Sequence, residues 1–219
     1  MTPAAGPDLH GDACATLHGW VAPDRAQAEL RTAYLGHLQN HPDGLLRTCL
    51  PAHLTASALV LDHAGERVLL TLHRKGGFWG QTGGHCEPGD RTLAGAALRE
   101  AVEESGIPGL RLVSSAPVDL DRHELSSAFG TCGEHLDVRY AVVAPAGAEP
   151  VRSEESDDLR WFAGERLPTA AVEDLSRLVT RARAALAGAP AQSTSLSGSP
   201  GGGSSSESPS PAVAETPSR

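Results

Sequence analysis

Three carboxylates crowd one short stretch near the middle of the chain. In residues 83–107, GGHCEPGDRTLAGAALREAVEESGI, Glu100, Glu103 and Glu104 stand at i, i+3 and i+4, directly behind Arg99. On a helix these positions share one face. Each like-charge pair there costs a few tenths of a kcal/mol when exposed, and more when partly buried. Arg99 brings one positive charge, but it points about 100° away from Glu100 around the helix, and one guanidinium is too little for three carboxylates. A hard divalent cation such as Mg2+ or Mn2+, held through oxygen, would answer that charge and keep coordination positions for water and substrate phosphates. An arbitrary E-x-x-E-E stretch is more often a solvated acidic face. Here the context favours the cation: a Gly-Gly pair at 83–84, an acidic loop residue at Asp90, and an arginine beside the first glutamate, all after an apolar hairpin.

A helix has to carry the glutamates. Thr92 is its candidate N-cap and Gly106 its stop, with Gly95 inside as a flaw of about 1 kcal/mol relative to alanine. Upstream, residues 53–62 and 67–74 are β-rich runs joined by HAGE, which predicts a hairpin. The stretch KGGFWGQTGGHCEPGD at 75–90 is too rich in glycine and proline for a regular element. Downstream, LRLVS, VDLDRHELS, HLDVRYAVVAP and LRWFA predict strands. The last element places Val172, Leu175, Leu178, Val179, Ala182 and Leu186 on one helical face. Residues 21–47 predict an additional N-terminal helix, with Ala26, Leu30, Tyr34 and Leu38 about a turn apart. Residues 1–20 are expected to be flexible, and residues 188–219, almost entirely Ser, Gly, Pro and Ala, to be a disordered tail.

The stretch from Gly84 onward resembles the signature of the Nudix hydrolases, G-x5-E-x7-R-E-U-x-E-E-x-G-U, where U is apolar. Gly84 opens it, Asp90 stands in place of the first glutamate, and REAVEESGI (99–107) matches the second half position by position. Eight residues rather than seven separate Asp90 from Arg99; a spacing of seven would put Arg91 on the acidic position and His85 on the glycine, so one residue is inserted in the loop or first turn. The resemblance implies an α/β fold, a Nudix-like α/β/α sandwich with a mixed sheet over residues 48–187. It also implies hydrolysis of a nucleoside diphosphate linked to another group, X. Carried over residue by residue, Glu100, Glu103 and Glu104 hold Mg2+ or Mn2+ together with the Gly84 carbonyl. Glu100 or Glu104 is then a base for the attacking water, and Arg99 orients the glutamates. In some relatives the base lies on a loop before a later strand containing a tryptophan. Glu155, six residues before Trp161, has that spacing, with Asp157 and Asp158 as competitors. A non-catalytic nucleotide sensor or partner-binding module on the same fold is the alternative; retention of all three glutamates ranks it second.

For the substrate, Phe78 and Trp79 are candidates to stack on a base, with core packing as the alternative, and Arg74 and Arg139 are further candidates for substrate contact. His85, Cys86 and Glu87 occupy variable box positions, where ordinary loop roles are expected for the first two. His123 and His135 fall on predicted strands. Markers of particular substrate classes are absent, so a nucleotide-diphosphate-type small molecule is the expected ligand. The chain has 18 Lys and Arg against 27 Asp and Glu, a formal charge of -9, and no basic stripe, which argues against nucleic acid as a partner. Cys14, Cys49, Cys86 and Cys132 lie far apart without a C-x-x-C pair, which fits a reducing compartment. With no apolar run of membrane length and no secretory signal, the expectation is a cytoplasmic protein, a monomer or homodimer.

Overall fold

The computed structural model describes residues 8–74, 76–125, 132–152 and 156–189. Its centre is a strand buried on both faces. All ten residues of β1 (Ala52–Leu61) are buried, and because successive side chains of a strand point opposite ways, they serve two cores. Ala52, Leu54, Ala56, Ala58 and Val60 face one; Leu59 and Leu61 face the other. The hairpin partner β2 (Arg67–His73) divides in the same way, Leu69 on the first side and Val68 and Leu70 on the second. Asp62 shapes the turn by accepting the Glu66 and Arg67 backbone N–H groups at 2.8 and 3.1 Å.

β7 (Glu134–Val143) runs parallel to β1 in unbroken register from Ala52 opposite Glu134 to Leu61 opposite Val143. The short strands β3 (Trp79–Gly80), β4 (Thr82–His85) and β5 (Arg111–Leu112), with β6 (Asp119–Glu124) and β8 (Ser156–Ala163), complete an eight-stranded mixed sheet. Its path is β3-β2-β1-β7-β5, with β4 on β1, β6 on β7 and β8 on β2. Helices α1 (Leu9–Gly19), α2 (Arg25–Asn40) and α3 (Leu93–Ser105) feed the first core, and α4 (Leu175–Gly188) the second, through Leu175, Leu178, Val179 and Ala182. The result is an α/β/α sandwich.

Three expectations change. Residues 9–19, expected to be flexible, form α1. Asp8 caps it by accepting the Gly11 N–H at 2.8 Å, and Ala13 and Leu17 are fully buried; two small contributions hid it from a periodicity argument. The glycine-rich segment is not irregular throughout, since it supplies β3 and β4. At Gly83 (φ 156°) a Cβ would come within 2.2 Å of the Ser57 Cβ, so glycine is what lets β4 lie on β1. The last helix starts at Leu175 rather than near 170, because Ala171 is still bridged to Trp79. Glu155 and the stretch from 190 onward lie outside the described residues.

Candidate active site

The sequence stacks small residues on one side of α3. Ala96, Ala97 and Ala101 are fully buried and bring the helix close to β1 and β4. Both ends are fixed as the sequence suggested. The Thr92 hydroxyl accepts the Gly95 N–H at 2.9 Å, and Gly106, at φ 63°, ends the helix by donating its N–H to the Val102 carbonyl. Gly95 is less a flaw than a fit, because a Cβ there would meet the Thr92 hydroxyl at 2.8 Å. A further tie was not legible: Asp12 of α1 accepts the Leu93 N–H at 2.8 Å, so the N-terminal helix also holds the start of α3.

Arg99 is the organiser. Its guanidinium donates to both Asp90 oxygens at 3.1 and 2.9 Å, to Glu100 at 3.0 Å, to Glu103 at 3.1 Å and to the His85 carbonyl at 3.0 Å. The planar fork suits such multiple donation. Burial would raise the Asp90 carboxyl, but the Arg99 hydrogen bonds and the Glu87 N–H hold it below the ordinary range. Those same carboxylates push Arg99 further up, Asp90 foremost. The inserted residue is thus absorbed in the turn, and Asp90 keeps its place as the arginine's partner.

The glutamates sit against β4. Glu104 accepts the Gly83 N–H at 3.2 Å, and a Cβ at Gly84 would come within 2.8 Å of the Glu100 carboxylate. The Glu100 side chain is 14% exposed and that of Glu103 is 58% exposed, so the cluster runs from the strand edge into solvent. Glu87 stands at its rim, 4.0 Å from Arg99. The face therefore offers carboxylate oxygens around the Arg99 guanidinium, a set suited to a hard divalent ion.

The substrate candidates separate. Arg74 is half exposed and pairs with Asp157 at 3.1 Å; the Phe78 ring stacks on His73, with centroids 5.4 Å apart. Trp79 instead packs edge-on against Phe162 at 4.9 Å, as part of the second core. Arg139 is not on a solvated strand face. It is buried, with Asp121 at 2.8 Å, Asp137 at 3.0 Å and Asp119 at 3.5 Å, and it also pairs with Asp174. Asp137 further accepts the Ser57 and Thr55 hydroxyls at 2.6 and 3.0 Å. Sequence reasoning missed this network because its members come from β1, β6, β7 and the approach to α4.

A family model described as NUDIX domain matches residues 51–182. Among solved structures, the chain is similar to a Clostridium perfringens hydrolase of the NUDIX family, with 24% identity over 62% of this chain and 96% of that one and a TM-score of 0.48. It is also similar to a C. elegans Ap4A hydrolase, with 20% identity over 62% of this chain and 98% of that one and a TM-score of 0.50. An E. coli dihydroneopterin triphosphate pyrophosphohydrolase aligns at 17% identity over 58% and 92% of the two chains, with a TM-score of 0.47. No curated protein matches the chain.

Proposed function

The chain belongs to the Nudix hydrolase family, whose model spans well over half of its length, and on that premise we propose that it is a divalent-metal-dependent pyrophosphohydrolase. Its substrate in this reading is a nucleoside diphosphate linked to another moiety. The observation that carries it is the α3 face itself, where Glu100 and Glu103 share Arg99 and Glu104 accepts the Gly83 N–H, beside the bare backbone of Gly83 and Gly84. Glu100, Glu103, Glu104 and the Gly84 carbonyl would hold Mg2+ or Mn2+. Such an ion screens phosphate oxygens, stabilises charge on the leaving group and lowers the pKa of bound water.

The chain's own groups do the rest. Arg99 fixes the Glu100 and Glu103 carboxylates and is itself fixed by Asp90. Glu100 or Glu104 takes the proton of the attacking water as its oxygen bonds to phosphorus and the phosphoanhydride P–O bond breaks. The leaving phosphate departs with the electron pair of that bond. Glu155 is the competing base. Arg74 and Phe78, exposed enough to meet a ligand, are stronger candidates for substrate contact than Trp79 and Arg139, which the core and the buried network engage. Among the described residues no helix is long and apolar enough to cross a membrane.

The test is a panel of nucleotide diphosphate derivatives assayed with Mg2+ and with Mn2+. Wild type is expected to cleave at least one of them, and Glu103→Gln and Glu104→Gln each to lower that rate by at least about a hundredfold, as loss of metal-assisted stabilisation requires. Glu155→Gln and Glu100→Gln assayed beside them identify the base. Tight nucleotide binding without turnover across the panel would replace this reading with that of a sensor.

A further inference from the structure

Three histidines absent from the catalytic reading converge on the opposite side of β4. His53 of β1 and His135 of β7 are register partners in the parallel pair, and His85 of β4 lies opposite Thr55 of β1. Side chains two apart along a strand share a face, so all three rings project to the same side of the sheet. Their centroids form a near-equilateral triangle, 5.0 Å from His53 to His85, 5.0 Å from His53 to His135 and 5.1 Å from His85 to His135. One ring nitrogen from each lies within 4.8 Å of the other two.

The tautomer of His53 adds an independent observation. This residue is fully buried, and its Nδ1 is 3.2 Å from the Cys49 carbonyl. A ring nitrogen facing a carbonyl acceptor carries the proton, which leaves a lone pair on Nε2. That Nε2 is buried and has no hydrogen-bond partner among the described residues. A buried polar atom left without a partner costs about 1–3 kcal/mol and calls for an occupant. An imidazole that donates one N–H to a backbone carbonyl and presents its other nitrogen is also the usual arrangement of a metal-ligating histidine.

We propose that His53, His85 and His135 form a site for a borderline divalent transition metal, Zn2+ or a close relative, separate from the carboxylate face of α3. Imidazole nitrogens suit that class of ion and not Mg2+. Tetrahedral bonds of about 2.0–2.1 Å bring ligand nitrogens to about 3.4 Å from one another, a contraction within reach of small ring rotations. Burial pushes His53 below the ordinary imidazole range and His135 down to about 3, so both offer lone pairs at neutral pH. His123 is adjacent, its ring 5.5 Å from that of His135, but its Nδ1 is bonded to Asp121 at 2.9 Å. Ligation would tie β4, the strand under Glu100 and Glu104, to β1 and β7, with a fourth position left for water or a ligand. The proposal does not depend on the diphosphate reading.

Metal-free full-length protein titrated with Co2+ and then Zn2+ tests it. One equivalent of Co2+ should develop the visible bands of a nitrogen-ligated ion, and Zn2+ should displace it. His85→Ala and His135→Ala should each weaken Zn2+ binding by at least about a hundredfold, the upper end of what loss of even an outer partner costs. His135→Asn provides the same comparison if an alanine variant unfolds. The doubly substituted Glu103→Gln, Glu104→Gln protein and His41→Ala, which removes a member of the other ligand-type cluster at His41, Asp43 and Cys49, should bind Zn2+ as wild type does. Absence of Zn2+ binding, unchanged affinity in the folded His85 and His135 variants, or loss of binding in either control would overturn the proposal.

Discussion

Two groups of carboxylates meet arginine in this molecule, and they are built on opposite terms. In the interior, Asp119, Asp121, Asp137 and Asp174 are answered by Arg139, with Arg177 and Arg181 also on Asp119 and the Thr55 and Ser57 hydroxyls on Asp137. At α3 and the loop before it, Asp90, Glu100 and Glu103 share Arg99, and Glu104 lies beside them on a backbone N–H. The first group is closed, since each of its carboxylates meets Arg139 inside the fold. The second runs into solvent with negative charge in excess. A buried charge must be paired for the chain to fold, whereas surplus charge at a surface is tolerated and is available to a cation. On the proposed reading, the difference separates a cluster that the fold closes on itself from one left open to a ligand.

Removing one side of the closed group should therefore have the largest effect. Arg139→Met takes from the buried Asp137 the arginine it is paired with and leaves Asp119, Asp121 and Asp174 to Arg177 and Arg181 at the rim; it should cost about 3–5 kcal/mol in urea denaturation. A loss below about 1 kcal/mol would mean that water already reaches the network. Next comes the open group, with the opposite signature. Glu103→Gln and Glu104→Gln should lower turnover at least about a hundredfold, about 2.7 kcal/mol in the barrier, while the melting temperature stays level or rises as repulsion on α3 is relieved. Smaller again, Thr92→Ala removes the cap of α3 and should cost about 1 kcal/mol of stability, read by the same denaturation.

The last effect is one of pH dependence and concerns Asp121. Burial alone would raise its carboxyl, but the hydrogen bond from His123, the Arg139 charge and the remaining partners hold it at about 2. Its folded pKa is thus below the unfolded value of about 3.9. The stability it contributes is complete above that value and is lost as pH falls towards 2. Thermal melts between pH 5 and 2 should fall less steeply in Asp121→Asn than in wild type.

The same contrast explains what could be read from the sequence. Glu100, Glu103 and Glu104 are neighbours along one helix, so the 3.6-residue period exposes their relation, as it does the Thr92 cap and the Gly106 stop. The β1–β2 hairpin and the strand run from β5 to β8 were legible from alternation and turn residues. Arg139 was visible as a residue but not in its role, because Asp119, Asp121 and Asp174 sit 18 to 35 positions away on other elements. The grouping of His53, His85 and His135 depends on strand register, and the docking of α1 depends on Asp12 reaching Leu93. The strand β4 was hidden by its own glycines, whose value there is the missing Cβ rather than any propensity.

The central claim, that the open cluster on α3 is a cation site, is tested most directly by Mn2+ titration followed by electron paramagnetic resonance. Wild type should take up Mn2+, and the Glu103→Gln, Glu104→Gln protein, folded and with an unreduced melting temperature, should leave the ion free in solution. Equal uptake by the two proteins would contradict the assignment and reduce the cluster to a solvated acidic face.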